Sequence, residues 1–189
     1  PRGWFPVVTP GTKCVTLAGT AKQAGVTPAA VYRQCGGRGD LIAEAARQGY
    51  EIFADLMQYA YETGQPSALA ALEATGRAYL AFARRHPGHY IAMFESGISV
   101  NHSPELAAVS TRARGVQERA AEELSQHIPP AKRPPPSMVS AHIWALSHGV
   151  VELFARNSPG TQSPFPPEAL LESGIGIYLR GLGLIPPDA

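Results

Sequence analysis

The chain is poor in the residues that most often announce a chemistry. Its two cysteines, Cys14 and Cys35, have neither zinc-like spacing nor a disulfide framework around them, so each is expected to be an ordinary reduced thiol. No stretch approaches the ~20 uninterrupted apolar residues that cross a bilayer, and the first residues lack a signal-peptide pattern. Neither a Gly-rich phosphate loop, a G-x-S-x-G elbow, an H-E-x-x-H pair nor paired acids occur in a setting that would support them. The six histidines are scattered. His86 and His89 stand near each other, but Pro87 between them breaks helical geometry and no carboxylate cluster follows, which argues against a metal. Nothing in the sequence argues for an enzyme, and the chain is expected to be a soluble, cytoplasmic protein.

With 189 residues, 44% of them hydrophobic, the chain can bury a sizeable core, as one domain or as a small module joined to a larger one. A net charge of +1 hides an asymmetry. Residues 1–40 hold Arg2, Lys13, Lys22, Arg33 and Arg38 against Asp40 alone, a local charge of +4, while the remainder carries −3. A polyanion is drawn to the first part and little to the rest.

Within that basic part, Thr16–Leu41 reads as two short helices and the entry to a third. Leu17, Ala21 and Ala24 share a helical face, Gly25 stands at a C′ position, and Thr27 with Pro28 forms an N-cap followed by proline at the first helical position. The small Ala29 and Ala30 let a backbone approach a duplex groove closely. An ordinary helical hairpin has the same spacing. In residues 1–15, Gly3, Pro6, Pro10 and Gly11 interrupt any helical period. Either that segment packs as an irregular arm through Trp4, Phe5, Val7 and Val8, or the module is incomplete.

Helical periodicity fills the rest. Residues 41–62 place Leu41, Ala45, Gln48, Ile52, Asp55, Leu56 and Tyr59 on one broad face, with Phe53, Met57 and Ala60 beside it. A second helix is predicted over 67–85 and a short aromatic piece over 86–98. A polar helix follows over 103–127, opened by Ser103, Pro104 and Glu105, with an Arg119–Glu123 pair along it. IPPAKRPPP is an extended loop. Helices over 137–157 and up to Leu182 complete an all-α chain. The former is apolar on nearly every side, with Val139, Ile143, Leu146, Val150 and Leu153 in one stripe and Trp144, His148 and Val151 in another. The latter carries Gly174 and Gly181, whose cost of roughly 1 kcal/mol each relative to alanine makes sense at a tight interface.

The order AGVT-P-A-A-VYR, followed by a basic residue and Leu41, resembles the DNA-binding segment of TetR-type transcriptional regulators. Thr16, Leu17, Ala21, Ala24, Gly25, Val26, Thr27, Val31, Tyr32 and Leu41 match that pattern, while Thr20, Gln34, Cys35, Gly37 and Arg38 depart from it. Farther on, His86-Pro87-x-x-Tyr90-x-x-Met93-Phe94 and Trp144-x-x-x-His148-Gly149 resemble the C-terminal domain class named for a Trp-His-Gly signature. The resemblance implies an all-α homodimer with a helix-turn-helix DNA-binding module at 1–40 and a larger helical effector-binding and dimerisation domain at 41–189. It implies double-stranded operator DNA as partner, a repressor relieved by ligand, and no cofactor.

On that reading the DNA-facing residues are Thr16, Thr27, Pro28, Ala29, Ala30, Tyr32, Arg33 and Arg38. Thr27 and Tyr32 are expected at phosphates, Arg33 at a phosphate or a guanine edge, and Arg38 at the backbone. A small apolar or aromatic effector is expected among Phe53, Tyr79, Phe82, Tyr90, Met93, Phe94, Trp144 and His148, since aromatic and methionine linings with one or two polar tips suit such a molecule. Ordinary core packing explains the same residues. The dimer interface is expected at Ile143, Val150, Leu153, Leu171, Gly174, Ile175, Tyr178 and Gly181. The alternative is a dimeric helical small-molecule-binding or interaction protein that has lost DNA recognition.

Overall fold

The computed structural model describes residues 37–155 and 163–184. Six α-helices make up the described chain: α1 (Arg38–Gly64), α2 (Ala68–Arg85), α3 (Pro87–Phe94), α4 (Pro104–Ser125), α5 (Pro136–Val150) and α6 (Pro167–Gly181). Short 3-10 turns lie at Val100–His102 and Pro130–Lys132, and α5 widens into a π turn over Val151–Ala155. There is no strand among the described residues, so the all-α expectation holds.

Local chemistry explains where the helices begin. Four of the six start on a proline, Pro87, Pro104, Pro136 and Pro167, where the fixed φ suits the first turn and the missing N–H would have had no intrahelical partner. Ser67 Oγ accepts from the Ala70 amide at 3.2 Å, and Ser103 Oγ from the Leu106 amide at 3.2 Å, closing the first turns of α2 and α4. Glu105 adds a carboxylate at the positive end of α4.

The chain divides into two compact units. One contains the described residues up to Ile52 together with Arg85–Thr111; the other contains Phe53–Arg84 and the described residues from Arg112 onward. Helices α1 and α4 supply turns to both.

In the first unit Leu41, Ala43, Ala46 and Tyr50 of α1, Tyr90 and Met93 of α3 and Leu106 of α4 are buried. Phe94 meets Tyr50 edge-on at 5.9 Å and Tyr90 at 4.8 Å between ring centroids. Gly49 lets α3 close on α1: a Cβ there would lie 2.6 Å from Met93 Sδ and 2.9 Å from His89 Cβ. On the outer side Arg47 bridges Glu44 at 2.7 Å and Glu51 at 2.5 Å, and its hydrogen bond to Glu44 holds that carboxyl below the usual range. Burial pulls the His86 and His89 imidazoles below the ordinary histidine value, assisted at His86 by the charge of Arg85 and at His89 by His86.

In the second unit the core runs from Phe53, Ala54 and Met57 of α1 through Leu72, Tyr79 and Phe82 of α2 to Val116, Ile143 and Leu179. The inward stripe of α1 is therefore rotated from the expected one. Ala43, Ala46, Tyr50, Phe53, Ala54 and Met57 are buried, while Tyr59 is 71% exposed and Asp55 reaches Arg112 at 3.0 Å on the surface. The larger apolar volume decides which face goes in, and the expected face carried a charge. Along α4, whose period predicts Leu106, Val109, Ala113, Val116, Ala120 and Leu124 inward, all are buried except Val109, which is half-buried. Arg119 and Glu123 do not pair with each other: Arg119 donates to Gln58 Oε1 at 2.5 Å and stands over the Tyr61 ring, while Tyr61 and Gln65 donate to Glu123.

By length and composition alone, Pro136–Ala155 is apolar enough to cross a membrane, although polar residues interrupt its apolar run. Its Val139, Ile143, Val150 and Val151 are buried in the second unit, and Ser147 donates to its own helix at Ile143 O.

Two measurements check this packing. A Cβ at Gly64 would lie 2.3 Å from Ala71 Cα and 2.4 Å from its nitrogen, backbone that cannot swing aside, whereas one at Gly115 meets nothing within 4 Å. Gly64→Ala is expected to cost about 1–3 kcal/mol and Gly115→Ala to add about 0.5–1 kcal/mol, read as shifts of the thermal midpoint. The lowered histidine values mean that the unfolded chain takes up protons before the native state does. Stability should thus be unaffected by this pair above pH ~6.5 and be lost as pH falls through the lowered native values. The midpoint should decline as pH falls below about 6.5, and His89→Gln should make that decline shallower; an equal slope would refute the assignment.

Candidate functional site

The aromatic junction of the second unit is built by three helices. Tyr79, 1% exposed, projects from α2 and places its hydroxyl 2.9 Å from His148 Nδ1 on α5. The two rings meet edge-on at 6.4 Å. Phe53 of α1 packs perpendicular to Tyr79 at 5.2 Å and lies 5.0 Å from Phe82. Neighbouring polar groups are satisfied within their own helices, Thr75 by Leu72 O at 2.7 Å and Ser147 by Ile143 O at 2.9 Å. Phe53 and Phe82 give the junction apolar walls, and the Tyr79 hydroxyl and a His148 ring nitrogen are its polar groups. Among the described residues no group of three or more His, Cys, Asp and Glu is placed to hold a metal.

The eight residues expected around an effector separate into two sets. Phe53, Tyr79, Phe82 and His148 come together, with the half-buried Trp144 one turn before His148 in the same unit. Tyr90, Met93 and Phe94 belong to the first unit, where Tyr90 and Phe94 stack with each other and Phe94 with Tyr50. Periodicity marks an aromatic residue as inward-facing and carries no information on which core it enters.

A surface groove between α2 and α6 was not foreseen. Leu80, Leu171 and Ile175 form its floor and Glu73, Arg77, Glu168 and Glu172 its rim. Arg84 pairs with Glu168 at 2.6 Å. The Glu168 carboxyl is held below the usual range first by a backbone amide hydrogen bond at the start of α6 and then by Arg84.

Of the expected dimer residues, Ile143, Val150, Leu171 and Ile175 are buried within the single chain. Gly174 is half-buried, and a Cβ there would contact Leu146. Tyr178 is half-buried, with its hydroxyl 3.1 Å from His142 Nδ1. Leu153 is 50% exposed and Gly181 is exposed. The apolar surface of α5 and α6 that stays outside is carried by Leu153 with Met138 and Ile177, which are 49% and 63% exposed. Both helices are apolar on two sides, and pattern alone does not say which side goes in. Of the DNA-facing set, Arg38 opens α1 and is exposed; Thr16, Thr27, Pro28, Ala29, Ala30, Tyr32 and Arg33 lie outside the described residues.

The family described as tetracyclin repressor-like, C-terminal domain, matches residues 72–178, more than half of the chain. Among solved structures, a protein of unknown function from Rhodococcus sp. RHA1 is similar at 22% identity and a TM-score of 0.75, over 92% of this chain and 87% of that one. The TetR family transcriptional regulator PfmR from Thermus thermophilus is similar at 14% identity and a TM-score of 0.68, over 89% of each chain. No curated protein sequence matches the chain.

The junction has a measurable signature. Tyr79→Phe keeps the ring packing and removes the hydroxyl that His148 Nδ1 binds, which should cost about 1–2 kcal/mol and lower the thermal midpoint by roughly 2–4 °C per kcal/mol. An unchanged midpoint in both native and His148→Ala backgrounds would show that the bond contributes nothing.

Proposed function

The chain belongs to the tetracyclin repressor-like family of transcriptional regulators, and we propose that it is a homodimeric cytoplasmic repressor relieved by a small apolar or aromatic effector. Residues 1–40 bind double-stranded operator DNA, and residues 41–189 hold the effector and the dimer interface. The observation that carries this reading is the junction of Phe53, Tyr79, Phe82 and His148, a cluster of aromatic walls and two polar tips of which Tyr79, Phe82 and His148 lie inside the matched region. The local charge of +4 and the helix-turn-helix spacing of Thr16–Leu41 support the DNA side.

In the mechanism, Tyr32 and Thr27 contact phosphates, Arg33 a phosphate or a guanine edge, and Arg38 the backbone, with Thr16, Pro28, Ala29 and Ala30 fitting the groove. Helix α1 connects the two activities covalently. It begins at Arg38 and carries Phe53 into the junction fifteen residues on, about 22 Å at a helical rise of ~1.5 Å per residue. An effector that packs against Phe53 and Tyr79 better in one conformation than another biases that helix, and only this differential affinity shifts the equilibrium.

Two copies associate through the outer face of α5 and α6, where Leu153, Gly181 and Tyr178 are joined by Met138 and Ile177. The buried Ile143, Val150, Leu171 and Ile175 support that face from behind. A two-fold dimer presents two reading helices to a pseudo-palindromic site. The prolines and glycines of residues 1–15 favour a second reading, a dimeric ligand-binding protein of the same fold that no longer recognises DNA.

An electrophoretic shift on DNA upstream of the protein's own coding sequence separates the two. The repressor reading expects a shifted complex whose affinity falls steeply with salt. It also expects Ile177→Glu to convert a dimer to a monomer by light scattering and to weaken the shift. Absence of a shift at low salt, or a flat salt dependence, leaves the second reading.

A further inference from the structure

We propose that His102 and Asp40 form a latch that fixes the first turn of α1 to the entry of α4 and holds the DNA-contacting end of the chain in the register operator binding requires. The inference rests on the regulatory reading above. His102 Nε2 lies 2.8 Å from Asp40 Oδ1, joining positions 62 residues apart within the first unit. What distinguishes the contact from an ordinary surface pair is how tightly both ends are anchored.

On the His102 side, Ser99 Oγ accepts from the Asn101 amide at 3.1 Å and Ser99 O from the His102 amide at 3.0 Å. One residue further on, Ser103 caps α4 through the Leu106 and Ala107 amides. His102 is thus held between two serine caps, and a displacement of α4 along its axis moves the imidazole with it. On the Asp40 side, the Leu41 amide closes the first turn of α1 on Gly37 O at 3.2 Å, and Asp40 stands two residues after the exposed Arg38. The carboxylate already suits the positive end of α1, so the histidine adds little to helix formation and a great deal to where that turn sits. Both side chains are substantially solvated, 35% and 49% exposed, and a pair of that kind contributes little to global stability. It acts by orienting. With a proton on Nε2 the ring donates to Asp40 whether it is neutral or charged.

Four variants test the latch, with operator affinity read by fluorescence anisotropy and stability by thermal midpoint. His102→Ala should weaken operator binding about two- to fivefold with the midpoint nearly unchanged, whereas His102→Gln, which keeps a donor, should bind almost as the native protein does. In a chain already carrying Asp40→Ala, the same His102→Ala change should have no effect; Asp40→Asn, which keeps an acceptor, should preserve the effect of His102. A His102→Ala protein that binds operator like the native one, or that loses affinity equally with and without Asp40, overturns the latch alone. Native protein that does not bind operator at all overturns the regulatory reading and the latch with it.

Discussion

The hydrogen bond between Tyr79 and His148 ties α2 to α5 inside the second unit, with oxygen and nitrogen 2.9 Å apart and the tyrosine 1% exposed. Loss of a buried hydrogen bond of this kind costs about 1–3 kcal/mol. Phe53 packs edge-on against the same tyrosine, which brings α1 to the junction and sets the rotation of that helix. Once Phe53 is inward, the helical period puts Ala46, Tyr50, Ala54 and Met57 inward too, and it turns Tyr59 and Asp55 to solvent. Much of the first unit's packing against α1 follows from that choice of face, including the closure of α3 on Gly49.

Helix boundaries were legible in part, because local chemistry sets them. Ser103 and Pro104 at the start of α4 act within a few residues and read as such in the sequence, whereas Pro87 reads as a breaker and Pro136 and Pro167 as loop, although each opens a helix. Faces were legible only where one side of a helix was clearly polar, as in α4. Where a helix is apolar all round, as α5 is, every candidate stripe satisfies the same pattern, and the partner helix decides. That is why Ile143, Val150, Leu171 and Ile175 read as an interface and turn out to lie in the chain's own core. Phe53, Tyr79, Phe82 and Tyr90 are buried and Tyr59 is exposed, and the division of the aromatic residues into a set around Tyr79 and a set around Tyr90 depends on contacts between distant positions. Charge pairing fails for the same reason: Arg119 and Glu123 are one helical turn apart, but Gln58 and Tyr61 of α1 and Gln65 just after it offer them better-placed partners.

The polar contacts of the chain differ in what they can do. Arg47 with Glu44 and Glu51, and Arg84 with Glu168, tie solvated side chains and contribute little to global stability. Tyr79–His148 lies in an aromatic core and is worth more, because its alternative is an unsatisfied buried group. His102–Asp40 resembles the first kind in exposure and differs in anchorage, with both backbones fixed by their own turns. A weak bond between rigid ends specifies position while adding little to the free energy of folding.

That distinction bears on how such a protein can be switched. Moving a two-state equilibrium from nearly all of one form to nearly all of the other takes about 5.5 kcal/mol of differential affinity, and no surface hydrogen bond supplies that. On the regulatory reading proposed above, an effector supplies that difference mainly through its own apolar surface, on the order of 1.5–3 kcal/mol for each side-chain-sized group it buries. Helices α1 and α4 each supply turns to both units. A connection made of two continuous helices transmits displacement without needing strong contacts at its far end. A latch worth less than about 1 kcal/mol is enough there, because it has only to register the displacement.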